Sequence, residues 1–141
     1  MSALTVTKVK TGSPYETKAG YSRVVAVGDW IFVSNTAGIN YQTRVMPEDA
    51  AGQARQCLAN ISGALAAVGS SLADVVSTRV FVPNSGDWDA VVDVLGEHFR
   101  GIDPTSTFTA APLAGAYLVE IEVTAFKGAG ALPTEVITVQ L

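Results

Sequence analysis

The sequence PTSTFTAAPLAGAYLVEIEVTAF occupies residues 104–126 and carries the clearest strand signal of the chain. From Val119 onward, apolar and polar side chains alternate, which is the period of a β-strand with one covered face. The apolar face holds Val119, Ile121, Val123 and Ala125, and the other face holds Glu120, Glu122 and Thr124. We therefore predict that this segment forms the last hairpin of a sheet, with its turn near residues 112–115.

The two glutamates of this predicted strand lie on the same face, about 7 Å apart. A carboxylate in the middle of an apolar strand is costly to bury unless it is paired or solvated. We expect that Glu122 either lies on a solvated face or pairs with an arginine from a neighbouring strand. For Glu120 we expect a cleft in which the carboxyl group acts as a general acid or base.

Length and composition indicate one globular domain. The chain has 141 residues, 48% of them hydrophobic, which suits a packed core and argues against disorder. Its net charge of −4 is opposite in sign to the charge that a nucleic-acid partner favours. No apolar run is long enough to cross a bilayer, and the N-terminal MSALTVTKVK lacks the apolar region of a secretory signal. We therefore expect a cytoplasmic protein with neither a nucleic-acid nor a membrane partner.

The chain contains one cysteine, Cys57, and one histidine, His98. One cysteine cannot close an intramolecular disulfide, and the two residues together cannot build a structural zinc site. Cys57 adjoins an apolar helical stripe and His98 adjoins Phe99, so we interpret both as structural residues. We expect no metal and no cofactor.

The remaining elements follow from periodicity and turn signals. Residues 5–9 alternate like an opening strand, and Gly28-Asp29 joins two strands in a hairpin. Pro47 is predicted to open a helix that ends before Gly69, and a second helix covers residues 87–100, after a strand at 75–82. The apolar face predicted for the first helix consists of Ala54, Leu58, Ile61, Leu65 and Val68. The face predicted for the second helix consists of Trp88, Val91, Val92, Leu95 and Phe99.

The order β-β-β-α-β-α-β-β predicts a two-layer α+β domain, in which a mixed sheet packs on two helices. We predict a single domain over residues 1–141, with a core at about 15–127 and a tail or edge strand at 128–141. The hairpin strands around Gly28 are apolar on both faces, so we expect helices on one face and a second subunit on the other.

Several local strings, in this order and spacing, resemble the Rid (YjgF) family. They are Tyr21-Ser22, Val33-Ser34, GQARQCLANI at 52–61, Val80-Phe81-Val82 with Asp87-Trp88, and Pro104 to Thr107 with Leu118 to Glu122. The resemblance implies a chorismate mutase-like homotrimer with clefts between subunits. It also implies hydrolysis of a reactive enamine or imine, such as 2-aminoacrylate, to a keto acid and ammonia, without a cofactor.

The resemblance assigns site residues by position. Tyr21, Ser34 and Glu120 stand where the family has the same residues, whereas Ser106, Asn35 and Val92 replace the family's Arg, Gly and Asn. The site implied in this way comprises Glu120 as catalytic acid or base and Tyr21, Ser34, Asn35, Ser106 and Phe108 as substrate-binding residues.

Ser106 offers one neutral hydrogen bond where an arginine would offer two charged ones. Hydrogen bonds to charged groups contribute about 1.5–3 kcal/mol, so a simple 2-aminoacrylate-type acid should bind weakly at this position. We therefore expect a different imine or enamine substrate, unless Arg23 or Arg79 reaches the cleft. A trimeric metabolite-binding or regulatory module, or a pathway-specific enzyme of other chemistry in the same cleft, are the alternatives.

Overall fold

The computed structural model describes residues 4–141; residues 1–3, which begin the predicted domain, lie outside the described residues. One six-stranded mixed sheet has the strand order β1-β2-β3-β6-β4-β5. Its strands are β1 (Val6–Val9), β2 (Val24–Val27), β3 (Trp30–Ala37), β4 (Val75–Phe81), β5 (Thr105–Thr109) and β6 (Glu120–Phe126). The α-helices are α1 (Pro14–Ala19), α2 (Ala50–Ala66) and α3 (Trp88–Phe99). The predicted order of strands and two main helices is confirmed, with α1 as an addition between β1 and β2.

The predicted hairpin over residues 104–126 is wrong. β5 pairs in parallel with β4, whereas β6 lies between β3 and β4 and is antiparallel to both. The physical reason is the connection at residues 110–119, which is longer than the two to five residues of a typical hairpin loop. The alternation predicted for β6 is confirmed, since Ile121, Val123 and Ala125 are buried.

Helix α2 carries the predicted apolar stripe, but Pro47 does not open it. Asp49 is the N-cap residue, and its carboxylate accepts a hydrogen bond of 2.9 Å from the backbone N–H of Gly52. An aspartate in this position satisfies a helix N–H that proline cannot, which explains the later start. The stripe of Ala54, Leu58, Ile61 and Leu65 is fully buried against the sheet. Gly69 adopts the positive φ (77°) expected just beyond the helix.

Helix α3 differs from the prediction at two positions. Val92 was expected to face inward, but its exposure is 50% in this chain. Val91 and Phe99 are buried as predicted, and Val94 is buried although it was not predicted, so the buried face of the helix is turned away from Val92. Val92 consequently borders an open groove between α3 and β5.

The β2–β3 hairpin has one covered and one open face. Val24 and Ile31 are buried with α2 in the core, as predicted for the helix side. Trp30 and Phe32 point to the opposite face, where each keeps 48% of its surface exposed. The second subunit expected on that face stays a prediction.

The chain after β6 contains no strand within the described residues. A short 3₁₀ turn at Ala129–Ala131 is followed by an exposed segment without regular structure. Across residues 4–141, the helices all fall short of the length and apolar character that a membrane-crossing helix needs.

Candidate active site

A β-bulge in strand β3 organises the candidate site. Val33 pairs with Val123 and Thr36 pairs with Ile121, so Ser34 and Asn35 together oppose the single residue Glu122. A bulge of this kind bends the strand and redirects its side chains, and bulges are frequent next to active sites. Neither the extra residue nor its position is visible in the alternation of the sequence.

Arg23 holds the bulge from the neighbouring end of β2. Its Nη1 donates to the carbonyl oxygen of Asn35 at 3.0 Å and to the hydroxyl of Thr36 at 3.3 Å. The hydroxyl of Ser34 donates to the carbonyl of Ser22 at 2.6 Å. From the sequence, Arg23 could be interpreted either as a solvated residue or as a substitute for an arginine at position 106. The structure places it in the site, in contact with the backbone of a predicted substrate-binding residue.

Two buried polar atoms of this region have no hydrogen-bond partner among residues 4–141: Arg23 Nε and Asn35 Oδ1. Buried polar groups are nearly always paired with protein or with ordered water. One atom is a donor on a cation and the other is a neutral acceptor. Both lie at the bulge, because Arg23 already contacts the Asn35 backbone.

Glu120 is the first residue of β6 and lies between Ala37 of β3 and Phe81 of β4. Its side chain is half-buried. Burial raises the pKa of Glu120 above its ordinary value, because the charged form loses hydration, and the positive charge of Arg23 opposes part of this rise. A carboxyl group with a raised pKa can hold or release a proton nearer to neutral pH.

A cavity of about 400 Å³ opens beside the bulge. Its polar lining includes Arg23, Thr36, Tyr41, Gln56 and Asn60. Sequence reasoning missed Thr36, Tyr41 and Asn60 as site residues. Asn60 lies within the quoted string GQARQCLANI but was given no role, and Tyr41 lies in a segment without regular structure. Asn60 donates to the carbonyls of Ala37 and Ile39 at 3.1 and 2.9 Å, which fixes the end of β3 against α2.

Tyr21 lies at the start of the same region. Its backbone N–H donates to the carbonyl of Glu16 at 3.0 Å, and its own carbonyl accepts from Lys10 Nζ at 2.6 Å. Tyr21 is partly buried and leads directly through Ser22 into Arg23. The structure thus brings Tyr21, Ser34 and Asn35 to the same end of the sheet as Glu120.

Ser106 and Phe108 lie elsewhere in the chain. They pair with Thr78 and Val80 and face the helix side of β5, where they line a groove of about 360 Å³ against α3. Phe108 packs edge-to-face on Trp88, with ring centroids 5.2 Å apart. Glu120 faces the opposite side of the sheet, because its neighbour Ile121 faces the core. Within one chain, therefore, Ser106 and Phe108 do not share a cavity with Glu120.

Glu122 and Arg79 form a separate pair. Arg79 Nε lies 3.7 Å from Glu122 Oε1, and both side chains are more than a third exposed. The sequence analysis gave pairing with an arginine from a neighbouring strand as one of two expectations for Glu122, and Arg79 is that arginine. Exposed pairs contribute little to stability.

Cys57 and His98 have structural surroundings. Burial raises the pKa of Cys57 to about 12, and its thiol contacts the carbonyl of Val119 at 3.7 Å. A thiol in this environment is a packing group rather than a nucleophile. His98 Nδ1 lies 2.8 Å from the Val94 carbonyl of its own helix.

Comparisons with known proteins extend over most of the chain. A family model described as Endoribonuclease L-PSP matches residues 11–127. The chain is 34% identical over 104 residues to a 2-iminobutanoate/2-iminopropanoate deaminase of Dermatophagoides farinae, covering 72% of this chain and 81% of that one. It is 32% identical over 111 residues to the protein of the same name from Escherichia coli, covering 76% and 87%.

The fold is similar to a solved Mycobacterium tuberculosis structure that is described as a member of the YjgF/YER057c/UK114 family. The TM-score is 0.76 at 36% identity, over 86% of this chain and 99% of that one. The mixed sheet, the helices on one face and the family match over residues 11–127 lead to the same assignment. The chain belongs to the Endoribonuclease L-PSP family, the YjgF or Rid family that its sequence resembles.

Proposed function

We propose that this protein is a hydrolytic deaminase of a reactive imine or enamine. The observation that carries the proposal is Glu120, a half-buried carboxyl group with a raised pKa at the bulge end of the sheet. Relatives named 2-iminobutanoate/2-iminopropanoate deaminase support the reaction class. No cofactor is needed, because an imine carbon is already electrophilic.

The reaction needs one group that can both donate and accept a proton. Water adds to the imine carbon, so a C–O bond forms and the C=N electron pair moves to nitrogen, which takes a proton. Glu120 supplies that proton and recovers one from the added water, directly or through a second water. In the collapse of the carbinolamine, Glu120 takes the hydroxyl proton and passes it to nitrogen, so that C=O forms, the C–N bond breaks and ammonia leaves.

We propose a homotrimer of the chorismate mutase-like type. The open sheet face with Trp30 and Phe32 is the surface that self-association would cover. Ser106 and Phe108 could then approach Glu120 only from a neighbouring chain, because they lie on the other face of their own sheet. The substrate-binding roles of Tyr21, Ser34, Asn35, Ser106 and Phe108 belong to this proposal.

The charge of the protein supports a small-molecule substrate, and we propose a cytoplasmic location. The net charge of −4 opposes binding of RNA, whose affinity for proteins comes largely from basic side chains. A neutral Ser106 is a poor partner for a carboxylate, so position 106 favours a substrate other than a simple 2-aminoacrylate-type acid.

The test is a matched pair of substitutions on the same strand. Imines are generated in the assay by an amino-acid oxidase, and their decay is followed by ammonia release. Glu120→Gln should lower the rate by at least about a hundredfold, because general acid–base catalysis contributes factors of that size. Glu122→Gln, which alters a carboxylate on the same face, should retain most activity. Equal activity of the wild type and Glu120→Gln, with unchanged sedimentation, would remove Glu120 from the mechanism.

A further inference from the structure

The chain after β6 is held close to the sheet at first and is open beyond that point. The backbone N–H of Gly130 donates to Oδ1 of Asp74 at 2.9 Å. A Cβ atom at Gly130 would lie 2.8 Å from the backbone oxygen of Ala73, so the chain also packs closely here. Residues 132–141, which we call the tail segment, are exposed along their whole length. The family match ends at residue 127, so the tail segment lies outside the matched region.

The tail segment has the pattern of a β-strand with one apolar face. Ile137, Val139 and Leu141 alternate with two polar residues, and Glu135 is the one charged residue of the segment. Valine, isoleucine and threonine, which favour strands, make up half of it. Ile137 and Val139 keep 74% and 64% of their surface exposed. Large apolar side chains gathered on an exposed segment indicate a surface that another protein surface covers.

The two edges of the sheet differ in their protection against strand addition. β1 contains Lys8 and is followed by Lys10, and lysine side chains on an edge strand discourage pairing with another chain. β5, at the other edge, has the sequence TSTFT without a charged residue, and it pairs with β4 in one continuous register. Its outer backbone groups have no strand partner among residues 4–141. β5 is therefore the edge that can accept a further strand.

The groove beside β5 offers an apolar surface that matches the tail segment. Val92 and Leu95 of α3 line this groove together with Phe108 of β5. A strand added outside β5 points alternate side chains to the helix side of the sheet, where Ile137 and Val139 would extend the apolar contact. In the part of the chain that the structure describes, the tail segment and the β5 edge are both open. A second copy of the chain satisfies both at once.

We infer that the tail segment of one copy of this chain pairs as an additional strand with the β5 edge of a second copy. Backbone hydrogen bonds to an open sheet edge supply affinity, and alternate side chains supply specificity, in this mode of recognition. Each copy has one tail segment and one β5 edge, so a closed ring in which every subunit gives its tail segment to the next leaves neither open. The inference is compatible with the proposed homotrimer and does not depend on deaminase activity.

Disulfide cross-linking between two differently tagged, co-expressed full-length chains tests the inference. One chain carries Thr138→Cys, and the other carries Thr105→Cys, Thr107→Cys or Thr109→Cys, so that three registers are covered. Thr138 and these three threonines lie on the same side of the added strand and of β5 when Ile137 faces the groove. The native Cys57 is buried and does not compete. Oxidation should yield a product that contains both tags. Thr7→Cys, on the exposed β1 edge, is the matched control and should yield none.

Hydrogen exchange of the wild type gives a second measurement that needs no substitution. Alternate amides of residues 134–140 should exchange at least about tenfold more slowly than in a free peptide of the same sequence, because a paired amide must open before it exchanges. A cross-link to Thr7→Cys alone would overturn the inference, as would a cross-link that forms only within chains carrying both cysteines. An unprotected tail segment without a cross-link to β5 would also overturn it.

Discussion

The bulge end of the sheet and the α3–β5 groove are the two regions to which family resemblance assigned site residues, and they differ in chemistry. The bulge end gathers a cation, an amide and a half-buried carboxyl group: Arg23, Asn35 and Glu120. The groove is lined mainly by apolar side chains, including Val92, Leu95 and Phe108. Val92 and Ser106, the two positions at which the resemblance implies a polar family residue, both line the groove. The polar side chains of the candidate site therefore lie at the bulge end, whereas the groove offers a larger apolar surface.

The largest expected effect tests whether the bulge end depends on close packing of β3 against α2. A Cβ atom at Gly38 would overlap the backbone carbonyl of Gln53. Gly38→Ala should therefore destabilise the protein by about 1–3 kcal/mol, the usual cost of overpacking. Urea denaturation measures the change. Gly63→Ala on the open side of α2 is the control and should stabilise by about 0.5–1 kcal/mol, because nothing lies within 4 Å of its added Cβ. Equal values for the two variants would contradict the close packing.

A smaller effect is expected from placing an arginine at position 106 of the groove, which Arg100 already lines. If Arg23 substitutes for an arginine at position 106, Ser106→Arg should change the affinity for 2-oxobutanoate, the stable keto acid formed from a simple 2-imino acid, by less than about tenfold, or 1.4 kcal/mol. The Arg23→Gln, Ser106→Arg double variant then shows whether the new arginine can substitute. A gain of a hundredfold in Ser106→Arg alone would show that the groove is the carboxylate site and that the bulge end is not.

The smallest effect is a pH dependence of stability. Because the folded pKa of Glu120 is raised, its proton stabilises the fold at low pH, and this stabilisation is lost as the pH rises through the folded pKa. Glu120→Gln cannot ionise, so it should unfold at higher urea concentration than the wild type at pH 7 and at nearly the same concentration near pH 4. The gap should widen in an Arg23→Gln background, where the opposing positive charge is absent. A gap that grows toward low pH would contradict the raised pKa.

The sequence predicted the fold class and the buried faces because both depend on periodicity. Leu58 and Ile61 on α2, and Ile121 and Val123 on β6, follow directly from the spacing of apolar residues. The pairing partners of β5 and β6 did not follow, because alternation identifies a strand without identifying its neighbours. A short connection would have allowed β5 and β6 to pair as a hairpin, but the connection at residues 110–119 is longer than a hairpin loop.

The site was predictable only where one residue carries its own signal. Glu120 is conspicuous as a carboxylate in an apolar strand, and its raised pKa comes from that burial. Arg23 was visible only as a candidate, since its contact with Asn35 depends on a bulge that adds one residue to β3. Thr36 reaches the cavity through the same local geometry, whereas Asn60 lines it from helix α2. Side chains brought together by an irregularity in the backbone leave no periodic trace.

The central position of β6 has a consequence for synthesis. Strand β6, which joins β3 to β4, ends at Phe126, so ribosomal synthesis must pass all five other strands before the sheet can close. Until then β3 and β4 each expose an unpaired edge, and unpaired strand edges make partly folded chains prone to aggregate. The fold is therefore completed late and as a unit, and any truncation before β6 leaves two open half-sheets instead of a smaller domain.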